Sequence, residues 1–146
     1  MKRSVIIMAV LAFSLFACGQ KPPKSVTDNF NSKFAGATKV NWDQEEDNEW
    51  EVEFKMNGSE MSASFDNDGT WLETESEIEE KDLPTVVKAK LAMNYWGYEM
   101  KEVEKMEKPG FSGYEIAIAK GEEKLEIQVN PVGIIVNVKE VEVDED

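Results

Sequence analysis

Carboxylates and serines alternate with apolar residues in the stretch from Trp50 to Leu72. Glu51 and Glu53 alternate with apolar residues, and Ser62 and Ser64 do so a few positions later. Side chains two residues apart on a strand share one face and lie about 7 Å apart. Such a face could bind a protein, a peptide or a ligand that carries a cation. Paired glutamates at this separation also allow acid–base chemistry, but glutamates on exposed strand faces are common, so we favour binding.

A second acidic pattern overlaps the first. An EF-hand-like loop would have its positions 1, 3, 5, 6 and 12 at Ser64, Asp66, Asp68, Gly69 and Glu75. Position 1 is Ser instead of Asp, and the flanking segments have the pattern of strands. Asp-Asn-Asp-Gly is also a typical turn sequence. Asp66, Asp68 and Glu75 are therefore weak metal candidates, and Ca²⁺ binding through acidic loops is the alternative to a protein-binding function.

The residue types that are absent exclude several mechanisms. The chain has no His, and Cys18 is its only Cys, so Ser-His-Asp catalysis, Cys-His catalysis and zinc sites are excluded within it. Acidic residues outnumber basic ones by 30 to 16, for a net charge of −14, which excludes nucleic acid as a partner. We expect a protein without catalytic residues or cofactors, and not an enzyme.

The elements that position these side chains are predicted to be antiparallel strands. Residues 50–56 alternate between apolar and charged, which is typical of a half-buried strand. Asn57-Gly58 favours a type I′ turn, because both central residues of that turn need a positive φ. The alternation resumes after this turn, and Asp66-Asn67-Asp68-Gly69 forms a second turn before Thr70-Trp71-Leu72. The stretch is thus predicted as a three-strand meander with one apolar and one acidic face.

Two orientations are open for Trp71. If Leu72 faces the helices, Trp71 points to the open side of the sheet, beside Glu51, Glu53, Ser62 and Ser64. An aromatic residue among carboxylates would suit a protein or peptide surface. Alternatively, Trp71 covers an edge of the core.

The same pattern occurs twice in the chain. Residues 114–136 align with the first meander, so that Gly121 falls under Gly58 and Gly133 under Gly69. Each copy follows an amphipathic helical pattern. We therefore predict an α+β fold of two tandem helix-plus-antiparallel-meander repeats, residues 24–80 and 81–146, with the two sheets joined or adjacent and helices on one face. Residues 73–82 are predicted as a solvated acidic connector.

The first residues have the features of a lipoprotein signal. Residues 1–17 combine a basic start with an apolar run too short to span a membrane. Leu15-Phe16-Ala17-Cys18 resembles a bacterial lipobox, with Cys18 as the lipidated residue and residues 18–23 as a tether. The alternative is an ordinary signal peptide with an incidental Cys. A lipidated Cys18 followed by Gly19 predicts a cell-envelope protein that contacts the membrane through its lipid, at the outer membrane facing the periplasm.

Trp42, Trp50, Asn57-Gly58 and Asp68-Gly69-Thr70-Trp71, in repeats behind a lipoprotein signal, resemble the PepSY-like domain family. These are secreted proteins, frequent in Bacteroidetes, that are also described as resembling β-lactamase-inhibitor protein. The resemblance covers residues 24–143. It implies two tandem units with joined sheets and a binding module without established activity. Direct inhibition of an envelope enzyme is a minor third hypothesis.

Overall fold

The structure, a computed structural model, describes residues 21–141. Two ten-residue helices lie in this range, α1 (Lys24–Lys33) and α2 (Thr85–Asn94), and a short 3₁₀ turn (Glu80–Asp82) precedes α2. The strands are β1 (Thr38–Glu46), β2 (Glu49–Met56), β3 (Ser59–Asp66), β4 (Trp71–Glu77), β5 (Glu99–Lys108), β6 (Phe111–Lys120), β7 (Glu123–Val129) and β8 (Ile135–Glu140). No helix within residues 21–141 is long and apolar enough to cross a membrane. The predicted signal segment 1–17 and Cys18 lie outside the described residues.

The eight strands form one antiparallel sheet in the order β1 to β8. The prediction of two tandem helix-plus-meander repeats was therefore wrong as a fold class, because the described chain is dominated by a single sheet and has only two short helices. Sequential strand order leaves only β1 and β8 at the edges. Fewer edges mean fewer unpaired backbone groups, which favours one long sheet over two short ones.

Strand β4 shows how the prediction failed. Its polar residues were predicted to belong to a solvated connector, yet Ser62 pairs with Glu75 and Ala63 pairs with Thr74. Thr74 and Glu75 are both buried. Backbone pairing thus continues through a stretch whose composition is typical of a loop.

The chain divides into two compact units by the density of its contacts. The N-terminal unit contains residues 21–77 and 106–111, and the C-terminal unit contains residues 78–105 and 112–141. In the N-terminal unit α1 packs on one side of β1–β4. The core consists of Val26, Phe30, Phe34, Trp50, Val52, Phe54, Ala63 and Phe65. Phe30 lies at its centre, with its ring centroid 5.1 Å from that of Phe54 and 5.3 Å from that of Trp42.

The C-terminal unit has its own core. Helix α2 contributes Val87 and Leu91, and the strands contribute Val103, Ile116, Ile118, Ile127 and Val129. Val86, which precedes Val87 in this helix, is 49% exposed. The reason is geometric, because adjacent helical positions differ by about 100° and cannot both face the sheet.

The turn between β2 and β3 matches its prediction. Met56 pairs with Ser59, so Asn57 and Gly58 are the two loop residues. Their φ angles are +52° and +84°, as a type I′ turn requires. This turn sets the register that decides which residues of β2 and β3 face away from α1.

Candidate functional site

The side of β1–β4 that faces away from α1 carries two rows of polar residues. Directly paired residues share a face, because side chains alternate along each strand. One row runs Asp43, Glu51, Ser64, Glu73 from β1 to β4, and the next runs Asn41, Glu53, Ser62, Glu75. The apolar residues between them, such as Val52 and Ala63, face the core.

Three carboxylates of these rows, with Glu45 of β1, form what we call the acidic face. Its carboxylates are Asp43, Glu45, Glu51 and Glu53, and the serines of β3, Ser62 and Ser64, border it. Glu51, Glu53, Ser62 and Ser64 are thus brought together as the sequence predicts. Their use in binding stays a prediction.

The serines of this face are largely enclosed. Ser62 is 4% and Ser64 is 2% exposed. Ser64 lies opposite Glu51 and Ser62 opposite Glu53. The carboxylates of Asp43, Glu45 and Glu53 belong to exposed residues, so they are the part of the face that another molecule reaches first.

Glu51 is the electrostatic centre of the acidic face. It is 8% exposed, and its burial raises the pKa of the carboxyl to about 8. A hydrogen bond with Glu45 and the negative charges of Glu45, Glu53 and Asp43 act in the same direction. Near neutral pH Glu51 therefore holds a proton, and it releases that proton readily when a cation approaches.

In the part of the chain that the structure describes, no lysine lies at ion-pair distance from a carboxylate of the acidic face. Four exposed ion pairs join Lys24–Asp28, Lys55–Glu60, Lys81–Glu79 and Lys101–Glu99. None of them involves a carboxylate of the acidic face. Lys55, which follows Glu53 on the same face of β2, is held by Glu60 at 2.7 Å.

Trp71 lies on the other side of the sheet. It pairs with Phe65 and packs against the N-terminal core. The Lys33 ammonium is 3.8 Å from the centroid of its ring, and its indole N–H donates to the Thr74 hydroxyl over 2.8 Å. Of the two orientations predicted for Trp71, the structure thus has the one at the core.

A β-bulge causes this orientation. Ser64 pairs with Glu73, but the next residue of β3, Phe65, pairs with Trp71. Leu72 is therefore an extra residue that interrupts the alternation along β4. Trp71 and Glu73 consequently face opposite sides of the sheet, although strict alternation would place them together.

The carboxylates of the proposed calcium loop have structural partners. Asp66 Oδ1 accepts hydrogen bonds from the backbone N–H groups of Asp68 and Thr70, and Asp68 Oδ1 accepts one from the Thr70 hydroxyl over 2.6 Å. These bonds build the β3–β4 turn. Glu75 lies within β4 and is 3% exposed. Calcium binding by Asp66, Asp68 and Glu75 stays a prediction.

Asp43 and Glu45 are members of the acidic face that the sequence interpretation missed. Both residues lie on β1, which extends to Glu46. The alternation of Asn41, Asp43 and Glu45 with Trp42 and Gln44 is the signal that could have placed them on a strand.

In the N-terminal unit the sheet therefore has a helix on one side and the acidic face on the other. The family model described as "Putative beta-lactamase-inhibitor-like, PepSY-like" matches residues 48–137, which is more than half of the chain. The chain belongs to this PepSY-like family, as the sequence motifs predict.

Solved structures from Bacteroides have a similar fold. A BLIP-like protein from Bacteroides fragilis is 22% identical with a TM-score of 0.74, and the match covers 88% of this chain and 93% of that one. A DUF2874 family protein from Bacteroides ovatus is 23% identical with a TM-score of 0.73, covering 84% and 89%. A structure from Bacteroides eggerthii described as "putative periplasmic proteins" is 19% identical with a TM-score of 0.73, covering 83% and 90%. No curated protein matches the chain.

Proposed function

We propose that this protein is a non-enzymatic binding module that captures another protein or peptide through its acidic face. The observation that supports this is a set of four neighbouring carboxylates that have no lysine at ion-pair distance among the described residues. Crowding of neighbouring carboxylates destabilises the sheet and keeps Glu51 protonated near neutral pH. A surface that retains them gains from contact with a positively charged partner, which removes the repulsion.

The same carboxylates do not require a catalytic interpretation. Glu51 and Glu53 have the separation and the difference in environment that a pair of acid and base needs. The raised pKa of Glu51 follows, however, from burial and from crowding by other carboxylates, which occurs in structural networks as well. The description of the family refers to an inhibitor-like fold and to no reaction.

We further propose that the protein resides in the cell envelope, attached through a lipid on Cys18. The supporting observations are the lipobox-like sequence before Cys18 and the fold shared with a structure from Bacteroides eggerthii described as "putative periplasmic proteins". Replacing Cys18 with Ser should move the protein from the membrane fraction to the soluble fraction and abolish metabolic labelling by palmitate. Labelling that persists in Cys18→Ser would contradict the lipid anchor.

Affinity capture from envelope extract tests the binding function. The wild-type chain, Glu53→Lys and Glu122→Lys should be immobilised at equal density, and the captured proteins identified by mass spectrometry. Glu53 is exposed on the acidic face, and Glu122 is exposed in the turn between β6 and β7. The two variants therefore make the same change of charge at different places.

We expect one protein that the wild type and Glu122→Lys capture and Glu53→Lys loses. Circular dichroism should show that all three proteins are folded. Equal capture by Glu53→Lys and the wild type would remove the acidic face from the function. Loss of the captured protein with both variants would indicate attraction by net charge alone.

A further inference from the structure

Strand β1 is an edge of the sheet, and its only neighbour is β2. Eight of its nine residues are exposed, and Trp42 is half-buried. The outer side of an edge strand presents N–H and C=O groups that can pair with another chain. Pairing with β2 is regular from Asn41 to Gln44, with irregularities before and after. The regular segment is therefore the part of β1 where a further strand could pair.

The charge of β1 restricts what can pair with it. Asp43 and Glu45 both face the acidic side, next to Glu51. A second copy of this chain, docked edge to edge, would add its own Asp43 and Glu45 to the same row. Carboxylates in one row repel each other, so self-association through this edge is disfavoured.

We propose that β1 is the docking edge for an extended, basic segment of the partner, which adds as a ninth strand and places Lys or Arg side chains at alternate positions over the acidic face. The inference rests on the proposed function and names the chemistry of the partner. Neighbouring strands lie about 4.8 Å apart and alternate side chains about 7 Å apart. A Lys or Arg in the row of Asp43 would therefore start about 5 Å from Asp43 and about 10 Å from Glu51, and its long side chain would extend over Asp43 toward Glu51.

The side of β1 that faces α1 indicates which residues of the added strand would lie between its basic residues. On the side of α1, Trp42 contacts the rings of Phe30 and Phe65 and keeps part of its surface exposed. An added strand would place its other set of side chains beside Trp42, where apolar residues fit. The expected segment thus alternates basic with apolar residues.

A cation above Glu51 would also change its protonation. Burial and the neighbouring carboxylates Glu45, Glu53 and Asp43 all raise the pKa of Glu51, so a cation supplied from outside would oppose them and stabilise its charged form. Docking would then release a proton, and affinity should rise with pH from 6 to 8.

Two synthetic peptides of identical composition provide the test. Both are fluorescently labelled octapeptides with four Lys and four Val or Thr residues. In one peptide the Lys residues alternate with the others, and in the second they occur in consecutive pairs. Fluorescence anisotropy with the full chain at 0.1 M NaCl measures both affinities. We expect the alternating peptide to bind about tenfold more tightly, because only it can place all of its cations on one face.

Variants and a modified peptide separate strand addition from simple attraction. Asp43→Asn and Glu45→Gln should each weaken the alternating peptide about tenfold, whereas Glu122→Gln should not. An alternating peptide N-methylated on the amides that would face β1 should lose binding, since those N–H groups make the sheet hydrogen bonds.

Equal affinity for both peptides, or full binding of the N-methylated one, would overturn the inference. No binding of either peptide, while the envelope protein is still captured and is lost with Glu53→Lys, would overturn the strand addition and leave the proposed function intact. Displacement of the alternating peptide by millimolar CaCl₂ but not by equivalent NaCl would assign the face to a divalent cation instead.

Discussion

Glu51 is a carboxyl group whose surroundings oppose its ionisation. Its pKa is about 8 in the folded protein, against a usual value of 4.5. Between these two values the folded state holds a proton that the unfolded chain has released. The contribution of Glu51 to the free energy of unfolding therefore falls as pH rises from about 4.5 to 8. Outside that window this contribution does not change with pH.

Replacement of Glu51 with Gln removes this dependence. The amide is uncharged at every pH and can donate a hydrogen bond to Glu45. We expect Glu51→Gln to match the wild type near pH 5 and to exceed its free energy of unfolding at pH 8 by on the order of 2 to 4 kcal/mol, since one pKa unit corresponds to about 1.4 kcal/mol. Urea denaturation at pH 5, 6, 7 and 8 gives the comparison.

Glu122→Gln is the matched control for that measurement. Its carboxylate is exposed in the β6–β7 turn, so the same substitution should leave the pH profile of the wild type unchanged. Parallel profiles for Glu51→Gln and the wild type would mean that Glu51 is ionised at neutral pH. The acidic face would then carry one more charge than described here.

At the scale of elements, α1 is attached at its start to the β3–β4 turn. The Asn29 side-chain amide donates to the Gly69 carbonyl over 2.7 Å, and the Ser25 hydroxyl donates to the Asn67 carbonyl. A Cβ at Gly69 would lie 2.7 Å from the Ser25 carbonyl oxygen, and the φ of Gly69 is +92°. Only Gly allows so close an approach of this turn to the helix.

The substitutions Gly69→Ala and Gly58→Ala separate two costs of a side chain. Gly58 also has a positive φ, of +84°, but a Cβ there would meet nothing within 4 Å. Gly58→Ala should therefore cost about 1 kcal/mol, from backbone strain alone. Gly69→Ala should cost about 2 to 4 kcal/mol, because the clash is added. Urea denaturation measures both, and equal losses would mean that the turn moves away from α1 freely.

The elements also show what the sequence can and cannot specify. Period-2 alternation and Asn57-Gly58 identified β2, β3 and their register, because these signals are local. The same register correctly placed Glu51, Glu53, Ser62 and Ser64 on one face. The orientation of Trp71 depends on a bulge at Leu72. That bulge results from the pairing with β3 and not from the local sequence. The sequence pattern of residues 98–106 is compatible with a strand or a helix. In the structure this segment pairs within the sheet as β5.

At the scale of the whole molecule, the fold class failed for a related reason. The similarity between residues 50–72 and 114–136 indicated two units, each with its own sheet or with joined sheets. The number of strands that join one sheet depends on the free energy cost of leaving edge strands exposed. The local sequence of a single segment does not indicate that cost. The polar strand β4 pairs through Glu75 even though its composition is that of a connector.

The net charge of −14 acts on the whole molecule at once. Repulsion among like charges destabilises a compact state more than an expanded one, and salt screens it, with a screening length that falls from about 10 Å at 0.1 M to 3 Å at 1 M. The four ion pairs Lys24–Asp28, Lys55–Glu60, Lys81–Glu79 and Lys101–Glu99 are exposed and contribute little. We therefore expect NaCl to raise the free energy of unfolding, by about 1 kcal/mol between 0.05 and 0.5 M.

The acidic face should account for a large share of this effect, because its carboxylates occupy neighbouring strand positions and take part in none of these ion pairs. At pH 8, where Glu51 is substantially ionised, the double variant Glu51→Gln/Glu53→Gln should gain clearly less from NaCl than the wild type. Glu122→Gln should gain nearly as much as the wild type. Urea denaturation at the two salt concentrations measures each gain. An equal gain in all three proteins would mean that the repulsion is spread over the surface, and a loss of stability with salt would mean that the ion pairs outweigh it.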